Sequence, residues 1–376
     1  MTDWCAFLTV KGVWVPRRTT LSPRAMSLPS PSRRLLLVAP LLLALGAAAP
    51  FPIVTSEYID PAPPYPQAHA STIVELPDAT IAAAWFGGSG EGRPDVAIWF
   101  ARRGVKGWET PVAVARDANY PTWNPVLFQP PGEPLHLFYK VGPNPRDWWG
   151  MVITSTDGGR HWSAPVRLPD GVLGPIKNKP IVLADGTWLA PSSREVGTPE
   201  KNRWFLRMER STDRGRTWMA GPEIASPVGL EAIQPSVLTL KDGTLALVAR
   251  TRQGVVATSR SRDGGRTWSP LAALALPNPN AGTDAVTLAD GRQLIVYNHA
   301  AHDPATPGDG PRWPLNVALS DDGVHWRAVL TLESRPIKDG YAYPAVIQSR
   351  DGRVHISYTW NRTRIRHVVL DPRQLR

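Results

Sequence analysis

Six polar or ionisable residues stand at nearly even intervals along this 376-residue chain: His69, Asn124, Lys179, Gln234, Asp284 and Tyr343. The steps between them are 55, 55, 55, 50 and 59. Four of the six are followed by proline, at Pro125, Pro180, Pro235 and Pro344. If the chain repeats a structural unit at this spacing, equivalent positions lie at equivalent radius and the six side chains converge on one funnel. A purely structural ring would repeat one small residue, whereas this variety suits an asymmetric ligand. The plainer alternative is a set of satisfied polar groups around a water-filled channel. A second tier is expected from Lys140, Arg194 and Glu195, Arg250 and Arg252, Asn298 and His299, and Asn361 and Arg362. Singly these are solvated charges. Together they make a positive pocket whose guanidinium forks match a carboxylate.

The elements that must position these residues are legible as two internal repeats. The first is Ser-x-Asp-x-Gly-x-x-Trp, complete at Ser155–Trp162, Ser211–Trp218 and Ser261–Trp268, one residue shorter at Ser320–Trp326, and degenerate around Arg103–Trp108. Ser and Asp side chains hold turn amides, Gly supplies a positive φ, and Trp packs beneath as an anchor. The second repeat is a turn followed by an apolar strand, at Pro77-Asp78-Ala79, Pro131-Gly132-Glu133, Ala184-Asp185-Gly186, Lys241-Asp242-Gly243, Ala289-Asp290-Gly291 and Arg350-Asp351-Gly352. Six hairpins imply six four-stranded blades, hence an all-β, six-bladed β-propeller over residues 50–376. Strand-rich repeats without intervening helices exclude doubly wound and α/β-barrel folds.

Composition agrees. Forty prolines, 31 glycines and 16 tryptophans suit many tight turns around aromatic anchors. Cys5 is the only cysteine, so neither a disulfide framework nor a thiolate metal site is expected; the histidines lack ligand spacing, and no metal or other cofactor is expected. The formal charge of +10 falls to +5 once residues 1–49 are set aside. With no basic run interleaved with aromatics, nucleic acid is not an expected partner. Arg33 and Arg34 precede the apolar run Leu35–Leu45 and the small residues Gly46–Ala49. Residues 1–49 are therefore read as an extension and signal peptide, Met26 being an alternative start. The run is short for a membrane span, and the expected location is outside the cytoplasm, periplasmic or secreted, with an uncleaved anchor as the alternative.

At these motifs the chain resembles the sialidases over residues 60–372, through the repeated Asp boxes and the segments around Gln234–Arg250, Arg312–Ser320 and Tyr343. The resemblance implies that Arg250 and Arg312 are the second and third arginines of a carboxylate-binding triad. It implies Tyr343 as nucleophile and Glu91 or Asp95, in the loop Gly87–Asp95, as general acid. Two departures stand out: His69 occupies the place of the first triad arginine, and Gln234 that of the glutamate activating the tyrosine, with Glu231 and Glu195 as nearby candidates for that role. The chain also resembles bacterial sialidase-like Asp-box proteins at Trp123–Phe128, Gly174–Pro180 and Leu276–Asn280.

The resemblance implies an exo-acting glycoside hydrolase removing a terminal acidic sugar, sialic acid or a related one, from a glycan or acidic polysaccharide. His69, Asn124, Lys140, Lys179, Gln234, Arg250, Asp284 and Arg312 would hold the sugar, and Tyr343, Glu91, Asp95 and Glu231 would serve catalysis. A tyrosine nucleophile suits an anomeric centre that itself bears a carboxylate. One alternative is a polysaccharide lyase, with His69 and Tyr343 as base and acid beside arginines that neutralise a uronate. The other is a glycan-binding propeller without catalysis, since fold alone establishes no chemistry.

Overall fold

The structure is a computed structural model, and it describes residues 51–305 and 310–376. The leader expected at residues 1–49 lies outside the described residues. Among the described residues, twenty-five strands form six antiparallel sheets, and the only helix is one 3₁₀ turn, Pro372–Gln374. The sheets are the blades of a six-bladed β-propeller. Each blade except the last runs outward from an inner strand in chain order: Gln67–Glu75, Thr122–Phe128, Ile181–Val182, Ala232–Thr239 and Asp284–Thr287 open blades one to five. Blade six supplies Tyr341–Gln348, Val354–Trp360 and Arg364–Leu370, and its outermost strand is Ile53–Tyr58 from the other end of the chain. The ring is thus closed by a strand that the repeats did not announce.

Burial follows position within a blade. Middle strands are covered on both faces by the neighbouring blades and are mostly buried, Ile81–Gly88 throughout. Outer strands are covered on one face and alternate, as in Ala272–Pro277. The core is accordingly a set of apolar layers between blades. Leu127, Leu137 and Tyr139 of blade two pack on Ala84, Phe86 and Ile98 of blade one; Leu294 and Val296 of blade five pack with Val346 and Ile356 of blade six.

The two repeats sit at one end of the barrel of blades. In the hairpin between first and second strands, Asp78, Asp185, Asp242, Asp290 and Asp351 each accept the amide two residues on, at 3.0 Å. Between third and fourth strands, Asp263 accepts from Arg266 N, Thr267 N, Thr267 Oγ1 and Ser261 Oγ, while Ser261 Oγ takes Gly265 N. These donors hold the Asp263 carboxyl well below the usual range. Gly265 has φ 76°, and a Cβ there would come within 2.6 Å of Leu189. The degenerate copy is the hairpin Arg103–Trp108 of blade one, with no Ser or Asp in it. With all eleven sequence-marked turns at this end, the opposite end is left to irregular loops.

Candidate functional site

The inner strands carry a shared defect at the end opposite those turns. In blades one, two, four and six the pairing register slips by one residue, between His69 and Thr72, Trp123 and Val126, Ile233 and Ser236, and Ala342 and Ala345. The first inserted residue takes a left-handed conformation: Ala70 (φ 55°), Asn124 (35°), Gln234 (59°) and Tyr343 (50°). A bulge bends the strand and re-aims a side chain. Ser71, Pro125, Pro235 and Pro344 come next, and proline tolerates that place because a bulge leaves an N–H unpaired.

This register corrects the expected ring of six. Ala70, not His69, is the counterpart of Asn124, Gln234 and Tyr343, and His69 stands one residue earlier. In blade five Asp284 lies opposite Val296, as Ser236 lies opposite Val248 in blade four. Lys179 holds the same place in blade three, three residues before Val182, the partner of Trp188. Both therefore sit two residues beyond the bulge, whose places belong to Lys177 and Gly282. Lys179-Pro180 imitates the X-Pro pair of the other blades at the wrong depth. Lys179 and Asp284 pair at 3.0 Å and line a separate cavity of about 280 Å³ toward the hairpin end. There Asp284 also accepts Ser236 Oγ and Val346 N, tying inner strands together.

Lys177 and Asn178 bind the axis. Lys177 Nζ donates to Pro344 O (2.6 Å), Asn178 Oδ1 and Thr283 O, and Asn178 Nδ2 donates to Gln234 O and Thr283 O. Two residues of blade three thus fix strands of blades four, five and six. Burial pulls the Lys177 ammonium down to about 7, partly offset by Asp284. At Gly282 a Cβ would meet the Tyr343 ring at 3.1 Å and Lys177 Cε at 3.3 Å, so glycine is what admits the tyrosine. The motif Gly174–Pro180 contained Lys177, but nothing in its spacing marked it.

Above this plug opens a cavity of about 560 Å³. Tyr343 lies at its base, half-buried, and its hydroxyl oxygen accepts from Gln234 Nε2 (3.3 Å) and Arg250 Nη1 (3.4 Å). His69 packs its ring 4.2 Å from that of Tyr343, and Thr359 Oγ1 lies 3.0 Å from its Nδ1. Its buried Nε2 has no partner among the described residues, nor has Gln234 Oε1 or Arg250 Nε. Burial first, then the charges of Arg362, Arg250, Arg312 and Lys177, depress His69 well below its ordinary range and keep it neutral.

The walls are cationic and aromatic. The Arg250 guanidinium stands over Trp204 (5.2 Å) and Tyr343 (5.6 Å). Arg312 is fixed by donating to Pro279 O, Gly310 O and Asn280 O. Arg362 sits in the two-residue turn Asn361-Arg362, both left-handed (φ 50° and 55°), and pairs with Glu91. Of the expected pocket residues, His69, Glu91, Arg250, Arg312, Tyr343 and, from the second tier, Arg362 line this cavity, and Gln234 reaches the Tyr343 hydroxyl.

The other expected residues lie elsewhere. Asp95 is at the base of its loop, accepting Ser89 N and Oγ. Glu231 pairs with Arg203 and Arg252, and Glu195 accepts from Asn202 Nδ2 and Trp204 Nε1. Neither touches Tyr343, whose hydroxyl meets no carboxylate among the described residues. Lys140 is fully buried on Pro175 O (2.7 Å), and Asn124 is buried outside the cavity lining. Trp204, Trp313, Lys338 and Asp339 also line the cavity, and no repeat pointed to any of them.

Residues 79–356 match the family described as BNR repeat-like domain. A sialidase from Bacteroides fragilis is 25% identical over 49% of this chain, and one from Paraclostridium sordellii 29% over 32%. The chain spans about a third of the length of these relatives, 37% and 32%. Among solved structures, a protein of unknown function from Dyadobacter fermentans superposes with TM-score 0.70 at 16% identity, covering 85% of this chain and 98% of that one. The intramolecular trans-sialidase of Ruminococcus gnavus, solved with oseltamivir carboxylate, gives 0.63 at 14%, covering 88% and 99%. The NanB sialidase of Streptococcus pneumoniae gives 0.64 at 13%, covering 87% and 71%. At such identities these structures speak for the fold.

Proposed function

Because the chain belongs to the BNR repeat-like domain family, within the sialidase-like superfamily, we propose that its axial pocket cleaves a terminal acidic sugar from a glycan. The observation that carries this reading is Tyr343, held in a left-handed bulge at the base of the pocket between Gln234 and Arg250. A bulky residue in that conformation is strained, and strain of this kind is retained where a side chain must be aimed.

In this reading Arg250 and Arg312 take the sugar carboxylate, and Arg312 arrives pre-oriented by its three carbonyl acceptors. Glu91 donates a proton to the leaving oxygen as the glycosidic C–O bond breaks. The Tyr343 oxygen faces the resulting cationic anomeric centre. Water then adds to that carbon and returns its proton to Glu91. Tyr343→Phe is expected to lower turnover of aryl sialosides or aryl uronides about 10²- to 10⁴-fold while leaving KM within a few-fold. Loss of affinity in step with turnover would instead make Tyr343 a binding group.

A second reading is favoured by one observation: the tyrosine hydroxyl meets no carboxylate among the described residues, while a neutral histidine packs against its ring. In β-elimination on a uronate chain, one of this pair removes the proton beside the carboxylate and the other protonates the departing oxygen, leaving a carbon–carbon double bond. Ultraviolet absorbance rising on a uronate polymer, abolished by His69→Ala, is its signature. Reducing ends without absorbance belong to the hydrolase.

A further inference from the structure

We propose that Arg362 supplies, from a different blade, the carboxylate-binding arginine whose place His69 holds, and that Glu91 is the latch the ligand displaces. The inference rests on the acidic-sugar reading of the pocket and adds to it a specificity-determining residue. His69 is on the inner strand of blade one, whereas Arg362 is on the turn between Trp360 and Thr363 of blade six. These blades are neighbours around the ring, and the junction is stitched here by Ala68 N donating to Arg362 O (2.8 Å). Arg362 and His69 both line the cavity, and of the surrounding charges that of Arg362 bears most strongly on His69. The two side chains therefore face one shared cavity.

Three features show that Arg362 is held for this. Its turn is pinned by Asp339 N donating to Asn361 Oδ1 (3.0 Å) and Asn361 N donating to Gly340 O (2.8 Å). Its backbone is left-handed at φ 55°, a conformation that few residues other than glycine adopt. Its Nη1 is taken by one carboxylate oxygen of Glu91, the kind of contact a ligand carboxylate would make. Among the described residues the Glu91 side chain has no other hydrogen-bond or ion-pair partner; its loop is held by the turn from Arg93 N to Gly90 O and by Asp95 on Ser89. An arriving sugar carboxylate competes for Arg362 and displaces Glu91, which takes up a proton from solvent once the guanidinium is gone and then faces the leaving oxygen, so recognition of the acid and arming of the proton donor are coupled.

The test is titration calorimetry of the full chain with free sialic acid and glucuronic acid, each beside its methyl ester. Arg362→Asn keeps a residue that tolerates the left-handed turn. It is expected to weaken the acids about tenfold to a hundredfold and leave the esters unchanged. Adding His69→Arg to Arg362→Asn restores affinity to within a few-fold, which a merely structural role for Arg362 would not allow. Glu91→Gln, lacking the internal competitor, binds the acids more tightly than the unaltered chain. If Arg250→Ala weakens the acids but Arg362→Asn does not, the inference is overturned and the pocket reading stands. If the unaltered chain does not distinguish acid from ester, both fall together. Melting temperatures within a few degrees of the parent exclude misfolding as the cause.

Discussion

Lys140 and Lys177 are the two buried ammonium groups among the described residues, and they meet burial differently. Lys177 has three oxygen acceptors, while Lys140 has the single carbonyl of Pro175 at 2.7 Å. Burial pulls Lys140 down from 10.5 to about 7, partly offset by Glu209. Below pH 7 the folded chain carries this charge at its full desolvation cost. Between pH 7 and 10.5 the folded state releases a proton that the unfolded state keeps, so stability rises with pH, by at most about 1.4 kcal/mol per unit for one group. Lys140→Met is therefore expected to flatten the rise of unfolding free energy between pH 7 and 9.5; denaturation curves that stay parallel for the two proteins would refute it. Residues of this kind are also where the sequence was read least well. Asn-Pro, Gln-Pro and Tyr-Pro marked three of the bulges because proline suits an unpaired backbone position. Lys179-Pro180 bore the same mark two residues too deep, and Lys177, which holds the axis, bore none.

At the scale of elements, legibility divides by end of the propeller. The hairpin end is written in side chains that bond their own turn, so each Asp, Ser and Gly has a local reason to be there and recurs at fixed offsets. The pocket end is built from unlike segments, such as Pro279–Asn280, Gly310–Trp313 and Lys338–Asp339, whose conformations depend on contacts with other blades. That is why Arg250 and Tyr343, at ends of regular strands, could be placed from spacing. It is equally why the separation of Glu91 from Asp95, and of Glu231 from Tyr343, could not be. The division also predicts where damage is silent. Asp263→Ala removes the acceptor of four hydrogen bonds at the far end from the pocket and is expected to cost about 1–3 kcal/mol in urea unfolding. KM for an aryl substrate should not move; a change in KM would mean that the two ends are coupled.

Over the whole molecule, the six repeats account for the ring but not for how it is closed. Glu57, on the strand Ile53–Tyr58, accepts from Arg103 Nε (2.7 Å) and Trp108 Nε1 (3.1 Å) in blade one and lies 3.0 Å from His367 Nδ1 in blade six. The His367 hydrogen bond, with help from Arg103, lowers its carboxyl to about 2. A depressed acid contributes stability above its ordinary value of 4.5 that is lost as pH falls toward 2. Glu57→Gln is expected to lower the melting temperature by a few degrees at pH 7, the gap narrowing as pH falls toward 2. A gap that is constant with pH would remove Glu57 from this role. The same seam bears on how the protein comes into being. Glu57 and His367 are 310 residues apart in the chain, so the strand that emerges early from synthesis must wait for nearly all the rest before it has a partner. His69 and Glu91 stand on one side of that seam, Tyr343 and Arg362 on the other. The pocket is therefore complete only when the ring is closed, and ligand binding is a direct assay of whether the ring has shut.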